Sequence, residues 1–535
     1  MLISILATLL FGCIYFYLKL PAVNLHAVEF YTFIFLLCAV YCAVSLLMTG
    51  FRAGSLRDYV KHLVKKCTIP VVALAAFLLL AVVGSVAGSV FFRAKDYAGL
   101  LKLEQGDFGA EVEEVRWDQI PMLDENSANT LANKKMGELS DLVSQFEVDN
   151  SSAQINYRDI PMRATYLNYG DIIKWWKNRK AGIPAYLLID MVTQEVTVQR
   201  LAEGMKYSPS ELFNRNIYRY LRFHYPTELF YDVNFEVDDE GVPYWCATVV
   251  RKTIGLFGGT DVRGAVLVNA VTGESAYYPI EEVPSWVDRV CSARLIMEQY
   301  DYYGMYQSGF WNSILGQSGC TKSTSGYNYI AMDDDVWVYT GVTSVGGDES
   351  NLGFILVNQR TKNARYYVCA GANENAGMSS AQGAVQQYSY MATFPILLNI
   401  GGEPTYFMAL KDASQLVKMY AMVNVSQYQI VAVGSTVEEC QGNYASQLAK
   451  NGIAQVDTEE MSERQEVTGR IAEIRSSVMD GDTWYFIRLK DGNAYYLING
   501  REYPVATILN VEDLVTIIYQ AGEDEIIQGS SIERK

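Results

Sequence analysis

Three uncharged apolar runs open the chain, Leu2 to Leu18, Phe30 to Met48 and Thr68 to Phe92. Each approaches the roughly 20 residues that cross a bilayer core at helical rise. Runs of that length with no polar face have nowhere to lie in water, so they predict three transmembrane helices rather than the buried helices of a soluble domain. A cleavable signal peptide fits poorly, because no basic residue precedes Leu2 and a second apolar run follows at once.

The loops set the orientation. Between the second and third runs lie Arg52, Arg57, Lys61, Lys65 and Lys66 against a single Asp58, whereas Lys19 to Glu29 carries one charge of each sign. The positive-inside rule puts the basic loop in the cytoplasm. Three spans then leave the amino terminus inside and everything after Arg93 outside, a multi-pass membrane protein with a large extracytoplasmic region. Leu56, Tyr59, Val60, Leu63 and Val64 recur at helical spacing, with Arg57, Lys61, Lys65 and Lys66 on other faces. That pattern predicts an amphipathic helix on anionic lipid. Gly84 and Gly88 form a GxxxG pair, which lets another helix backbone approach closely, either a span of the same chain or the third span of a second copy in a homo-oligomer.

Charge is divided unevenly along the 535 residues: residues 1–93 carry +5 and residues 94–535 carry -22. A nucleic-acid partner is therefore not expected, because phosphate binding needs clustered positive charge. Within the large region three stretches align without gaps: Ala185-Tyr-Leu-Leu-Ile-Asp190-Met-Val-Thr193, Gly264-Ala-Val-Leu-Val-Asn269-Ala-Val-Thr272 and Gly353-Phe-Ile-Leu-Val-Asn358-Gln-Arg-Thr361. Each reads as strand, Asx-type turn and strand, since Asp or Asn bonds its own backbone two residues on. Gly258-Gly259 and Gly346-Gly347 precede the second and third copies, and acidic turns at Asp238–Gly241 and Asp333–Asp335 lie upstream. The pattern predicts a duplicated, or triplicated, helix-plus-meander module.

Helices are expected over Asn126–Gln145, Glu211–Phe223 (a capping box from Ser208 and Glu211), Val283–Tyr300, and a stretch capped by Ser435 and Glu438 that ends at Gly452. The fold class is α+β: a membrane domain (1–93), an α+β ectodomain of repeated helix-plus-antiparallel-meander modules (94–460), and a small β-barrel (465–535). The second unit, with its helix, the acidic turn Asp238-Asp239-Glu240-Gly241 and the hairpin Val266 to Glu274, resembles a PepSY-type module. That resemblance implies a membrane-linked, extracytoplasmic, non-catalytic module that regulates or binds; Asn269 stands where the family carries Asp. In residues 465–535, three strands, a short helix near Val505 to Leu509 and two more strands resemble an OB-fold barrel. Seven Lys/Arg against twelve Asp/Glu argue for a structural or protein-binding barrel rather than one for oligonucleotides.

Chemistry is sparse. Of His26, His62 and His224 only the last lies in the large region, and no GxSxG, SxxK, HExxH or Walker A string occurs. The carboxylates Asp333 to Asp335 read as turn chemistry, and the nine cysteines contain no CxxC. No catalytic, metal or cofactor residue is expected. Tyr300, Tyr302, Tyr303, Tyr306, Phe310 and Trp311 crowd together with Gly304 and Gly309, which reads as a loop. The loop either packs over the junction of the second and third units or leaves Tyr302, Tyr303, Tyr306, Phe310 and Trp311 as a platform for a protein or glycan partner. The expected function is a membrane-anchored, extracytoplasmic, non-catalytic binding or scaffold protein of the cell envelope. The alternatives are an envelope enzyme such as a carboxylate-dependent hydrolase, and an accessory subunit of a membrane transport or secretion complex.

Overall fold

The computed structural model describes residues 2–50, 56–114, 120–158, 160–332, 335–346, 350–414, 416–453, 464–479, 482–490, 492, 494–501, 503–520 and 526–535. Asp333, Asp334, Gly347, most of the acidic stretch after Asp457 and the turn residues Asp480-Gly481, Asp491 and Ala521-Gly522 lie outside this set. The chain divides into two compact units, Met1–Ala454 and Gln455–Lys535.

Helices α1 (Leu2–Lys19), α2 (Val28–Gly50) and α3 (Leu56–Ala87) are long and apolar enough to cross a membrane. One expectation changes here. The basic segment is not a separate helix but the first turns of α3, which runs through Pro70. Lys66 Nζ donates to Thr49 Oγ1 at 3.2 Å and Tyr59 lies beside Leu46, so this end of α3 packs on the end of α2. Tertiary contact with α2 thus carries the helix past a residue that lacks a backbone N–H. Lys61 and Lys65 remain exposed. The apolar run itself breaks at Gly88 and Ser89, after which α4 (Val90–Ala98) begins.

The described residues of the large region form four open sheets. The first contains Phe146–Val148, Ala153–Tyr157, Ile160–Tyr169, Ile183–Asp190 and Val196–Met205; the second is the meander Leu229–Val237, Pro243–Ile254, Gly258–Asn269 and Ser275–Pro279. The third is built on Asp335–Ser344, Ser350–Asn358 and Ala364–Ala372, the fourth on Ile396–Ile400, Glu403–Lys411, Val417–Asn424 and Val431–Gly434. A helix enters each sheet: Glu125–Gly137, Ile217–His224, Ala293–Tyr306 and Glu374–Ala384. Three of these start or stop differently from the sequence expectation. Ser208 does bond the Glu211 N–H, but the Glu211 carboxylate is consumed by Tyr169 and Trp175, and the helix starts only after its own cap, Asn216.

The Asx turns are as the sequence indicates. Asp190 Oδ1 accepts from the N–H groups of Val192 and Thr193 at 2.8 and 2.9 Å. Asn269 does the same for Val271 and Thr272, and Asn358 for Arg360 and Thr361, all at 2.9 Å. The left-handed residue each turn requires is Gln194, Gly273 or Lys362 (φ 62°, 79° and 64°).

Among the described residues a further backbone signature recurs in four modules. Met191, Ala270, Gln359 and Val425 each donate an N–H to a carbonyl near the start of the preceding strand, on Pro161, Pro243, Val336 and Pro404, at 3.0, 2.9, 3.0 and 3.1 Å. Their own carbonyls accept from the chain entering each module, at Met122, Lys206, Cys291 and Ala372. In the fourth copy the turn is longer: Asn424 Oδ1 accepts from Gln427, and the Asn424 N–H returns to the Ile430 carbonyl.

Consecutive modules share cores. On Gly258–Asn269, Val266 and Val268 face the core shared with the first sheet, while Ala265 and Leu267 face the core shared with the third. In the third sheet Val338, Ile355 and Val357 face back toward the second, and Trp337, Tyr339, Phe354 and Leu356 face the fourth. Strands buried on both faces need apolar residues at every position, which explains runs such as Ala265-Val-Leu-Val.

In the second unit, strands Arg464–Met479, Asp482–Leu489, Tyr495–Asn499, Leu514–Gln520 and Ile526–Arg534 pair in a closed ring. The first pairs with the second and fourth, the third runs parallel to the fifth, and Ile471, Ile487, Ile498, Val515 and Ile517 fill the inside.

Because the Asx oxygen satisfies two N–H groups, Asn269→Ala should lower stability by about 1–2 kcal/mol. Asn269→Asp should leave it unchanged, since Asp190 makes the same two bonds. Chemical denaturation of the full chain in detergent measures both.

Candidate functional site

Gly84, in α3, and Gly88, just past its end, do not receive a helix of the described chain. They receive the tip of the hairpin between Pro243–Ile254 and Gly258–Asn269. A Cβ on Gly84 would lie 2.6 Å from Leu256 Cβ, and one on Gly88 would lie 2.9 Å from the Ile254 carbonyl oxygen and 3.2 Å from Gly255 Cα. Around this seat His26 Nδ1 sits 2.7 Å from the Leu256 carbonyl, Tyr31 packs on Phe257 with ring centres 5.3 Å apart, and Tyr97 donates to the Gly88 carbonyl at 2.8 Å. The end of α1 is held as well, through Arg222 to the Leu20 carbonyl at 3.0 Å and the Val23 N–H to the Pro226 carbonyl at 2.8 Å. The end of α1, the start of α2 and the end of α3 therefore all meet the folded body, and Lys61, Lys65 and Lys66 lie at the other end of the three helices. The side chain of Arg57 is outside the described set.

The aromatic cluster is not a loop. Tyr300, Tyr302, Tyr303 and Tyr306 belong to the helix Ala293–Tyr306, whose inner face carries Leu295, Ile296 and Tyr300 into the core between the second and third modules. Tyr303 is half-buried against that core. Tyr302 packs on Tyr97 with centres 4.8 Å apart, and Tyr306 stacks on Tyr302. Phe310 meets Phe91 at 5.1 Å, and Trp311, also against Phe91, is 63% exposed. Helical periodicity was masked by Gly304, whose lack of a side chain is needed because a Cβ there would lie 2.3 Å from the Thr321 carbonyl oxygen.

Of the carboxylates that sequence alone leaves open, Asp333 and Asp334 lie outside the described residues, and Asp238 and Asp335 have partners. Asp238 bonds the N–H groups of Glu240 and Val242 in its turn; Asp335 is held by both Arg360 nitrogens at 2.6 and 2.7 Å and by Asn358. Glu236 is fully buried beside Arg289, and burial pushes its pKa up to about 8. His224 stacks on Tyr220 and bonds its carbonyl. Among the described residues no group of three or more His, Cys, Asp or Glu is placed to hold a metal ion.

Sequence reasoning missed a cavity of about 160 Å³ where the first, third and fourth modules meet. Gln154 and Arg163 line it, directly opposite one another on the ladder between Ala153–Tyr157 and Ile160–Tyr169. Met122, Asp124, Tyr327, Asn328, Tyr329, Phe394 and Met408 complete the wall. Arg163 is 7% exposed, and Nη1 reaches the Ser152 carbonyl and hydroxyl at 3.3 and 3.4 Å. Its Nε has no partner among the described residues, and neither does the Gln154 amide oxygen, although Gln154 is only 2% exposed. Burial lowers the Arg163 pKa; Glu125 and Asp124 act on it only through space and Arg289 opposes them. Asp124 is committed elsewhere, since Lys411 Nζ donates to both of its oxygens at 2.8 and 2.7 Å. The available signal in sequence was an arginine set between residues that alternate as core, Met162-Arg163-Ala164.

No protein-family model and no curated protein matches the chain. Among solved structures, levansucrase from B. subtilis, in two structures of which one is a mutant, is 9% identical over 81% of this chain and 97% of that one, with a TM-score of 0.17. A GDP-Man-dependent mannosyltransferase from Leishmania mexicana is 10% identical over 68% of this chain and 92% of that one, with a TM-score of 0.13. Similarity at that level carries no argument.

Two outcomes follow from these contacts. Gly88→Val must displace backbone rather than a flexible side chain, so it should cost about 1–3 kcal/mol and open the Gly255–Phe257 tip to proteolysis, with limited digestion and mass spectrometry as the readout. Burial alone would raise the Asp124 carboxyl, but the Lys411 and Ser127 bonds hold it below the aspartate range. Its contribution is therefore complete above the unfolded pKa of about 3.9 and is lost as pH falls through the lower folded value. Lys411→Met should flatten that acid limb of a Tm-against-pH curve.

Proposed function

We propose that this chain is a membrane-anchored, extracytoplasmic, non-catalytic binding or scaffold protein of the cell envelope. The observation that carries the reading is the seat: the folded body grips one end of the three apolar helices, while the basic turns of α3 stand at the other. The positive-inside rule then assigns the basic end to the cytoplasm and residues 94–535 to the outside.

Exposed apolar side chains at the seat's own level support a body that rests on lipid. Phe91, Phe92, Trp311, Ile314 and Leu315 are exposed just past α3 and around Phe91. Phe213 is exposed beside the end of α1, because Arg219 bonds the carbonyls of both Phe213 and Tyr17, and Ile172, Ile173 and Trp176 are exposed on the helix whose Trp175 packs on Phe213. Trp and large aliphatic residues favour this interfacial depth. The partner residues Tyr302, Tyr303, Tyr306, Phe310 and Trp311 then serve membrane contact and inter-module packing before any glycan or protein.

Binding is favoured over a carboxylate-dependent hydrolase because Asp238, Asp335 and Glu211 are spent on turn, ion-pair and aromatic hydrogen bonds. We read the modules as PepSY-like, on the helix, acidic turn and terminal hairpin of the second copy. The carboxy-terminal ring we read as OB-like, on its strand order, with its negative charge opposing nucleic acid.

Protease added to intact spheroplasts should digest residues beyond Arg93 and leave α1 to α3 protected. Digestion of that region only after lysis would overturn the orientation, and with it the extracytoplasmic reading.

A further inference from the structure

We propose that the cavity between the first, third and fourth modules binds a small amphipathic carboxylate, its acid group on Arg163 and Gln154 and its apolar body against Met122, Phe394 and Met408. The proposal rests on the binding-protein reading in one respect: the cavity holds a ligand rather than a reacting substrate.

The polar half of the argument is the state of Arg163. A buried guanidinium is ordinarily matched by a carboxylate, because an unpaired buried charge is costly. Here the only protein bonds among the described residues are the two long ones to Ser152. The carboxylate on the cavity wall, Asp124, is already doubly bonded to Lys411. Gln154, directly across the ladder, is a second buried polar side chain on the same wall; its amide oxygen is an acceptor without a partner among the described residues, and its NH2 group is the donor that a ligand oxygen would meet. The Arg163 guanidinium and the Gln154 NH2 group side by side supply planar N–H donors of the kind a carboxylate meets in a forked geometry.

Size and lining set the rest of the ligand. A dry cavity of about 150 Å³ accommodates a benzene-sized body, and this one measures about 160 Å³. Methionine and phenylalanine walls favour an apolar group there. Inorganic phosphate would leave those walls unfilled and bring a second negative charge toward Asp124.

Full-length protein in lipid nanodiscs is titrated with benzoate, with its neutral isostere benzyl alcohol and with inorganic phosphate, by calorimetry and thermal unfolding. Benzoate should bind saturably and raise the Tm, and benzyl alcohol and phosphate should do neither. Arg163→Met should abolish the benzoate shift yet melt no lower than the parent without ligand, because it removes a buried unpaired charge. Gln154→Leu should weaken benzoate about tenfold, the loss of one charge-assisted hydrogen bond. No benzoate shift would overturn the proposal, and Arg163→Met melting well below the parent would then make Arg163 a structural tie to Ser152. Equal binding of benzoate and benzyl alcohol would overturn it as well. The two readings fail separately. Benzoate bound but chemically altered on recovery would keep the site and refute the non-catalytic function, whereas absent binding refutes the site and leaves the membrane anchorage standing.

Discussion

A meander with one helix cannot cover both of its faces, and the large unit is organised by that deficit. Each sheet borrows its second layer from the next module, so that neighbouring residues of one strand, Leu267 and Val268, serve two different cores. Stability is consequently not a property of a module but of a junction, as in repeat proteins whose units are held by nearest-neighbour interfaces. The first and fourth modules also meet, at Asp124 and Lys411. Arg163 and the cavity lie at that meeting, where the interdigitation that fills the other junctions is incomplete.

Local signals made much of this fold legible. The apolar runs marked three helices long enough to cross a membrane, and the Asx turns carried their own hydrogen-bond chemistry in Asp190, Asn269 and Asn358. The strands of the last unit were bracketed by Gly-containing turns. What escaped was set by contacts distant in sequence. The fourth module has no Thr at the turn and a longer loop after Asn424, so its kinship with the others lies in backbone bonds such as that from Val425 to Pro404, which involve no diagnostic side chain. Pro161, Pro243 and Pro404 at equivalent strand starts were a trace of it.

The site was less legible than the fold for the same reason. Arg163 looks like an ordinary strand residue until three modules converge on it, and Gly84 and Gly88 match a helix-pairing pattern although the segment they accept lies far along the chain. A small-residue pair specifies only that something approaches closely, and a hairpin tip led by Gly255 (φ 61°) meets that condition as well as a helix. Gly304 misled in the opposite direction, because a glycine required by a neighbouring carbonyl looked like a loop residue.

The contact between Gly88 and Gly255 joins main chain to main chain with no side chain between them. Side chains are the compliant parts of a protein interface; they change rotamer and absorb small displacements. Without them the joint has little give. A rotation or tilt of α3 is therefore transmitted to the hairpin whole, along strands whose far end, at Ala270, is bonded to Lys206 at the boundary between the first two modules. The third apolar helix and the hairpin form a lever, and movement of that helix at one end is mechanically continuous with a junction between modules at the other.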